Sequence, residues 1–155
     1  MEQVTYKWTD AENEDFSRFY LITEEYYDSL VGGKLNRSGF VPYNLSDSIQ
    51  YVLIAYINDN AAACAGLKRY SDTDAEIKRV WVDPKYRGRH IATEMMNILE
   101  ERAALLGFDR TVLQTREIMT AAVSLYKERG YYQIENYPPY DSLEGAVCFA
   151  KDLTR

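Results

Sequence analysis

The sequence predicts an α/β protein built on one mixed, mostly antiparallel sheet of six or seven strands, with about four helices on its faces. Three observations carry that prediction. Between residues 51 and 82, β-rich apolar runs are separated by short polar turn signals, the pattern of an antiparallel meander. From Ile91 the period changes: Ile91, Met95, Ile98, Leu99, Ala103 and Leu106 share one helical face, and Gly107 stands where a left-handed cap belongs. Beyond it, strand, helix and two strands follow, so the strand after the long helix should run parallel to its predecessor in a right-handed crossover.

Taken in order, Val4 to Thr9 alternates as an edge strand. Asp10 is placed to cap a helix from about Ala11 to Leu30, with bulk from Phe16, Phe19, Tyr20, Tyr26, Tyr27 and Leu30, and Gly32-Gly33 breaks it. Residues 34–49 are polar, contain Gly39 and Pro42, and predict a loop with at most a helical turn. Tyr51 to Ile57 is a strand, Asn58-Asp59-Asn60 a turn, and Ala61 to about Tyr70 the return strand. Ser71 to Asp74 turns again into a strand from Ala75 to Val82, which Pro84, lacking an N–H, terminates. Arg110 to Thr115 is the crossover strand, about Thr120 to Arg129 a helix ended by Gly130, and Tyr131–Ile134 and Ala146–Lys151 the last two strands. Between those two strands, Asn136-Tyr137-Pro138-Pro139-Tyr140 forms a rigid aromatic loop. With no repeat, low-complexity stretch or linker, residues 1–155 are expected to form a single domain.

The composition, 46% hydrophobic and 27% charged, is that of an ordinary globular chain. There is no 18-residue apolar run and no basic-then-apolar leader, so we expect no membrane association. Cys64 and Cys148 are far apart and lack metal-ligand spacing to His90, the sole histidine; no metal is expected, and free thiols suit a reducing cytoplasm. The net charge of −6 sits in residues 1–60, with ten acids against four bases, whereas Lys68 to Arg89 carries seven bases against four acids. An acidic chain with one basic strip argues against nucleic acid and suits a small anionic ligand. The acidic N-terminal part is a solvated face or an attractor of cationic substrate.

The basic strip ends at an unusual helix start. No Ser, Thr, Asn or Asp precedes Ile91; the approach is Arg87-Gly88-Arg89-His90. Free first-turn N–H groups flanked by cations can be capped by an anion, a phosphate or pyrophosphate, or simply by water.

Arg87-Gly88-Arg89-His90-Ile91-Ala92, after Val80-Trp81-Val82-Asp83-Pro84, resembles the acetyl-CoA loop of the GNAT N-acetyltransferase superfamily. The family pattern is Arg/Gln-x-x-Gly-x-Gly/Ala; Arg87 and Ala92 match it, and His90 replaces the first glycine. Leu113-Gln114-Thr115, Ala122-x-x-Leu125-Tyr126-Lys127-Glu128-Arg129-Gly130-Tyr131 and Val147 to Leu153 are also similar, so the resemblance covers roughly residues 50 to 153. It implies a bacterial-type small-molecule enzyme with acetyl-CoA as co-substrate. In such proteins the strands before and after the cofactor helix splay apart, the pantetheine arm fills the gap, and the segment equivalent to 34–49 walls the acceptor pocket.

The resemblance also implies site residues. The cofactor side would comprise Val80, Trp81 and Val82, whose backbone meets the pantetheine amides, and Arg87, Gly88, Arg89, His90, Ile91, Ala92 and Thr93, whose amides meet the pyrophosphate. Lys85, Arg87 and Arg89 could reach phosphates, and the Val82 N–H could polarise the thioester carbonyl. His90 is expected to serve through its backbone N–H, on condition that its φ is negative and its side chain turns away.

Acetylating an amine needs a proton acceptor, because an alkylammonium has a pKa near 10. Glu76 is the candidate base; a carboxylate titrating near 4.3 would need burial or an intervening water. Its competing reading is an ion pair with Lys78, Lys68 or Arg69. Tyr126 is the candidate acid for the departing thiolate; otherwise it is a packing residue. Met119 stands where many relatives carry Asn or Gln against the cofactor arm, and Arg116 and Thr115 are the nearby substitutes.

The expected function is acetyl transfer from acetyl-CoA to a primary amine of a small molecule, by direct attack in a ternary complex. The narrow pocket implied by Tyr137 to Tyr140 favours a small acceptor over a protein or peptide N-terminus. A non-catalytic acyl-CoA sensor and a nucleotide- or phosphate-binding module are the readings from other classes. The surplus of aromatic residues, 14 of them tyrosine, is compatible with a homodimer.

Overall fold

The computed structural model describes residues 3–31 and 49–154. The elements follow the predicted order: β1 (Val4–Thr9), α1 (Glu14–Val31), β2 (Tyr51–Ile57), β3 (Asn60–Arg69), β4 (Asp74–Val82), a 3-10 turn at Pro84–Tyr86, α2 (Ile91–Leu105), β5 (Arg110–Arg116), α3 (Thr120–Glu128), β6 (Tyr132–Ile134) and β7 (Ala146–Asp152). The strands form one seven-stranded sheet in the order β1-β2-β3-β4-β5-β7-β6. Only the β4–β5 pair is parallel. Three α-helices are seen among the described residues, against about four expected. All of the predicted loop 34–49 except Ile49 lies outside them.

β2 shows why both sheet faces are covered. Its alternate residues Leu53, Ala55 and Ile57 pack with Ile91, Met95, Met96, Leu99 and Ala103 of α2. Val52 and Ile54 point the other way, onto Phe16 and Phe19 of α1. A strand apolar on both faces cannot tolerate solvent on either. The hairpin joining β2 to β3 turns on Asn58 (φ 50) and Asp59 (φ 65), the two left-handed residues of a type I′ turn.

Two helix ends differ from expectation. α1 begins at Glu14, not Ala11, because Asn13 accepts the Phe16 N–H at 3.1 Å, while Asp10 closes a preceding turn by accepting from the Glu12 N–H at 2.9 Å. On α2, Leu106 lies past the last helical residue and is 40% exposed; Met96 takes its expected place in the core. There Phe108 N–H reaches the Ala103 carbonyl at 3.1 Å and Gly107 N–H reaches Ala104 at 3.0 Å, with φ 96 at Gly107. α3 ends identically at Gly130, with Tyr131 N–H on the Tyr126 carbonyl at 3.0 Å. Both are Schellman caps, for which glycine avoids the left-handed penalty.

β4 and β5 pair only at Asp74↔Arg110, Ala75↔Thr111 and Glu76↔Val112. Past Glu76, β4 carries on to Val82 without that partner, and its path is bent at Arg79 (φ 57), opposite a register shift between Cys64 and Gly66 on β3. The bulge re-aims the strand away from β5. The resulting gap, flanked by the start of α2 and by α3, is the cleft.

Candidate active site

On one side of the gap is a groove of about 370 Å³. All of the cofactor-side residues predicted from the sequence line it except Arg89, which is exposed and stacks over the Tyr86 ring at 5.5 Å. Tyr26 of α1, Met119 and, from α3, Ala122, Leu125 and Tyr126 complete the walls. The start of α2 has no side-chain cap, as expected, so the amides of its first turn lack an acceptor within the helix. The condition set for His90 fails: its φ is +61, left-handed, with Gly88 two residues earlier at φ 82. The chain must reverse hand to enter α2, which is why glycine is the easier residue there and why His90 is held against its preference.

Arg87 folds inward. Its Nε donates to the Val82 carbonyl at 3.0 Å and its guanidinium lies over the Trp81 ring at 4.8 Å, with Tyr26 packed 5.1 Å from the same indole. Lys85 sits over Tyr86 at 5.5 Å. The buried Trp81 Nε1–H has no hydrogen-bond partner among the described residues, a donor left for a ligand or water. Tyr126 is 7% exposed at the groove, and its hydroxyl has no hydrogen-bond partner among the described residues. Burial, then the neighbouring Tyr27, pushes its phenol well above the ordinary range, so it keeps its proton.

Met119 also lines a second, smaller pocket of about 80 Å³, on the far side of the gap. Glu76 is there, 3% exposed. Tyr137 donates to its Oε2 at 2.8 Å, and Tyr140 bonds to the carboxylate as well. Of the ion-pair partners anticipated, Lys78 is present, with Nζ 4.0 Å from Glu76 Oε1 and 3.1 Å from the Tyr140 hydroxyl. Arg69 instead pairs with Asp72 at 3.2 Å, while Lys68 is the cross-strand neighbour of Glu76 in the β3–β4 ladder. Burial, then the Glu76 charge, pushes the Tyr137 and Tyr140 phenols far up, and burial lowers Lys78 below the usual lysine range despite Glu76. Tyr70 closes the cage, its ring 4.8 Å from Tyr137 and its hydroxyl on the Pro138 carbonyl at 2.6 Å. The aromatic loop was visible in the sequence; that it folds onto a carboxylate three strands away was not. Thr115 contacts Met119, Oγ1 to Sδ at 3.9 Å, and lines this pocket with Arg116.

An uncapped, basic helix start opening on a groove that adjoins a buried carboxylate is what an anionic co-substrate and a second reactant require. The sequence profile of the Acetyltransferase (GNAT) family matches residues 5–131. The chain belongs to the GNAT acetyltransferase family. A GNAT-family acetyltransferase from Staphylococcus aureus superposes with a TM-score of 0.76 at 16% identity, covering 98% of this chain and 100% of that one. A GNAT acetyltransferase from Elizabethkingia anophelis, solved with acetyl-CoA bound, gives 0.67 at 17% identity, with 97% and 98% covered. In sequence, Probable N-acetyltransferase 14 of Xenopus tropicalis is 32% identical over 77 residues, 49% of this chain and 37% of that protein. The matched stretches span under half the length of the curated relatives.

Within this GNAT chain the residues present fit acetyl-CoA. The uncapped α2 turn and Arg87 suit phosphates, and the diverging edge of β4 with the orphaned Trp81 donor suits an amide-bearing arm. Among the described residues, no group of three or more His, Cys, Asp or Glu could hold a metal, and no helix is long and apolar enough to cross a membrane.

Proposed function

We propose that this GNAT protein transfers an acetyl group from acetyl-CoA to the primary amine of a small molecule. The observation that carries the reading is the pairing of two pockets across Met119, one headed by an uncapped helix start and the other holding a buried carboxylate. When bound, acetyl-CoA supplies a thioester whose C–S bond breaks as the amine's N–C bond forms. Arg87 and the first-turn amides of α2 bind its phosphates, and Val80 to Val82 orient its arm along the β4 edge. Glu76 takes the proton that the amine must lose, its carboxylate oriented by Tyr137 and Tyr140. Tyr126, protonated well beyond neutral pH, gives a proton to the leaving sulfur.

Direct attack in a ternary complex is supported by the thiols: Cys64 is 1% and Cys148 0% exposed, so neither offers an accessible sulfur for an acyl group. The small acceptor pocket of about 80 Å³ supports a small molecule over a protein N-terminus.

The test is to incubate the protein with acetyl-CoA and a mixture of small amines, reading free thiol and acetylated products by mass spectrometry. Acetylated amine and thiol in equal amounts are expected. Acetyl-CoA binding without product would make the protein a sensor and overturn the reading.

A further inference from the structure

The groove and the small pocket share a single described lining residue, Met119. In the acetyl transfer proposed above, the moving carbon leaves a sulfur that faces Tyr126 in the groove and joins a nitrogen that faces Glu76 in the pocket. It must therefore stand where the two spaces meet, beside Met119. As the C–S bond breaks and the N–C bond forms, the amine's proton passes to Glu76 and that of Tyr126 to the sulfur. Sulfur, nitrogen and the carbonyl oxygen, which faces the β4 backbone, take up three of the carbon's directions. The fourth carries the rest of the acyl group. It is left to point across the gap from β4, at the wall where Met119 stands between β5 and α3.

We infer that the Met119 side chain sets the length of the acyl group, closing the space beyond two carbons and so holding the donor to acetyl-CoA. This rests on the acetyl-transfer reading above and names the residue that selects its donor. Met119 is fixed for the task from both sides. Its N–H donates to the Arg116 carbonyl at 2.9 Å, and its carbonyl accepts from the Val123 N–H at 3.1 Å. Its half-buried side chain makes no cap hydrogen bond to α3. Instead the hydroxyl of the buried Thr115 donates to its sulfur at 3.9 Å, a weak contact that favours one placement of an otherwise flexible thioether. The groove-lining residues in the first turn of α3 are Ala121 and Ala122, so Met119 supplies the bulk at that end of the wall. A longer acyl chain has to displace the thioether or run into the pocket of about 80 Å³ that the amine needs.

The experiment compares acetyl-CoA, propionyl-CoA and butyryl-CoA as donors to one amine that the protein acetylates, and measures the binding of each thioester without amine by calorimetry. The unaltered protein should favour acetyl-CoA over butyryl-CoA in kcat/KM by about tenfold or more, the worth of a methylene against a pocket wall, and should bind butyryl-CoA more weakly. Met119→Ala should bring butyryl-CoA to within about fivefold of acetyl-CoA in turnover and in binding. Met119→Phe should exclude propionyl-CoA as well, and Met119→Leu, of similar volume, should keep the parent's order of donors. Thr115→Val, which removes the hydroxyl held on the sulfur, should relax the order in part. A purely structural Met119 would instead lower all three donors alike. Butyryl-CoA used as well as acetyl-CoA by the unaltered protein overturns the inference while leaving acetyl transfer standing. A donor ratio that neither Met119→Phe nor a folded Met119→Ala moves overturns it too. If acetyl-CoA binds and no amine is acetylated, the acetyl-transfer reading itself falls, and this one with it.

Discussion

The two sides of the cleft are built by opposite means. The proposed cofactor side is mainly one stretch of chain, Val80 to Thr93, which offers backbone groups at a strand edge and at an uncapped helix start. The acceptor side is assembled from side chains on separate elements: Glu76 and Lys78 from β4, Arg116 from β5, Met119 before α3 and Tyr140 from the loop between β6 and β7. A backbone site survives side-chain change and keeps a recognisable sequence signature. A side-chain site is free to diverge, and its members are scattered. The same molecule therefore holds a generic half and an individual half.

Changes on the acceptor side should be the most damaging to turnover. Glu76→Gln removes the proposed proton acceptor while Tyr137 and Tyr140 can still bond the amide, so kcat should fall about 10²- to 10⁴-fold with acetyl-CoA affinity unchanged, read by steady-state kinetics and calorimetry. An unaltered kcat would make Glu76 a structural partner of Lys78. Tyr126→Phe should cost less, about ten- to hundredfold in kcat, again without loss of acetyl-CoA binding. It deletes only the proposed proton donor; a rate equal to the parent's would return Tyr126 to packing.

On the cofactor side, stability is the sharper readout. His90 sits at φ +61, so the β-branched His90→Val should destabilise by about 1–2 kcal/mol in a urea titration, whereas His90→Gly should be tolerated or mildly stabilising. Equal effects would mean the turn does not hold the left-handed conformation.

The fold was readable from the sequence because its signals are local. Turn residues at Asn58-Asp59, the period change at Ile91 and the glycines at Gly107 and Gly130 each mark an element by a rule that acts within a few residues. The errors were local too: Asn13 out-competes Asp10 as a cap because its side chain reaches the Phe16 N–H. The groove was readable for the same reason, since its residues are contiguous. The acceptor pocket was not. Tyr137 and Tyr140 stood out as aromatic, but only the sheet order, with β7 inserted between β5 and β6, brings their loop over Glu76. Lys78 was visible as a possible ion-pair partner, not as a lining cation. Tyr26 was counted as helix bulk, although it packs on Trp81 in the groove. The left-handed His90 follows from how the chain enters α2, which no residue type there announces.

The smallest effect concerns the two buried thiols, Cys64 and Cys148. Burial pushes Cys148 up to about 11 and Cys64 up to about 12. At pH 8 fewer than about one such thiol in a thousand is ionised, so iodoacetamide should label the folded protein far more slowly than the urea-unfolded chain. Because the unfolded thiols ionise first, the folded state holds more protons above about pH 9, and their contribution to stability is lost as pH rises from there toward 11. Fast labelling of the folded protein would reopen a covalent route.

The most direct test of the generic half is thermal unfolding with and without acetyl-CoA, with ATP as the phosphate-bearing control, on the unaltered protein and on Arg87→Glu. At about a hundred times its dissociation constant, acetyl-CoA should add roughly 2.7 kcal/mol and raise the midpoint by several degrees; ATP should do little, and Arg87→Glu should lose most of the shift. No shift at millimolar acetyl-CoA, or an equal shift with ATP, would contradict the assignment of the groove and with it the acetyl transfer built on it.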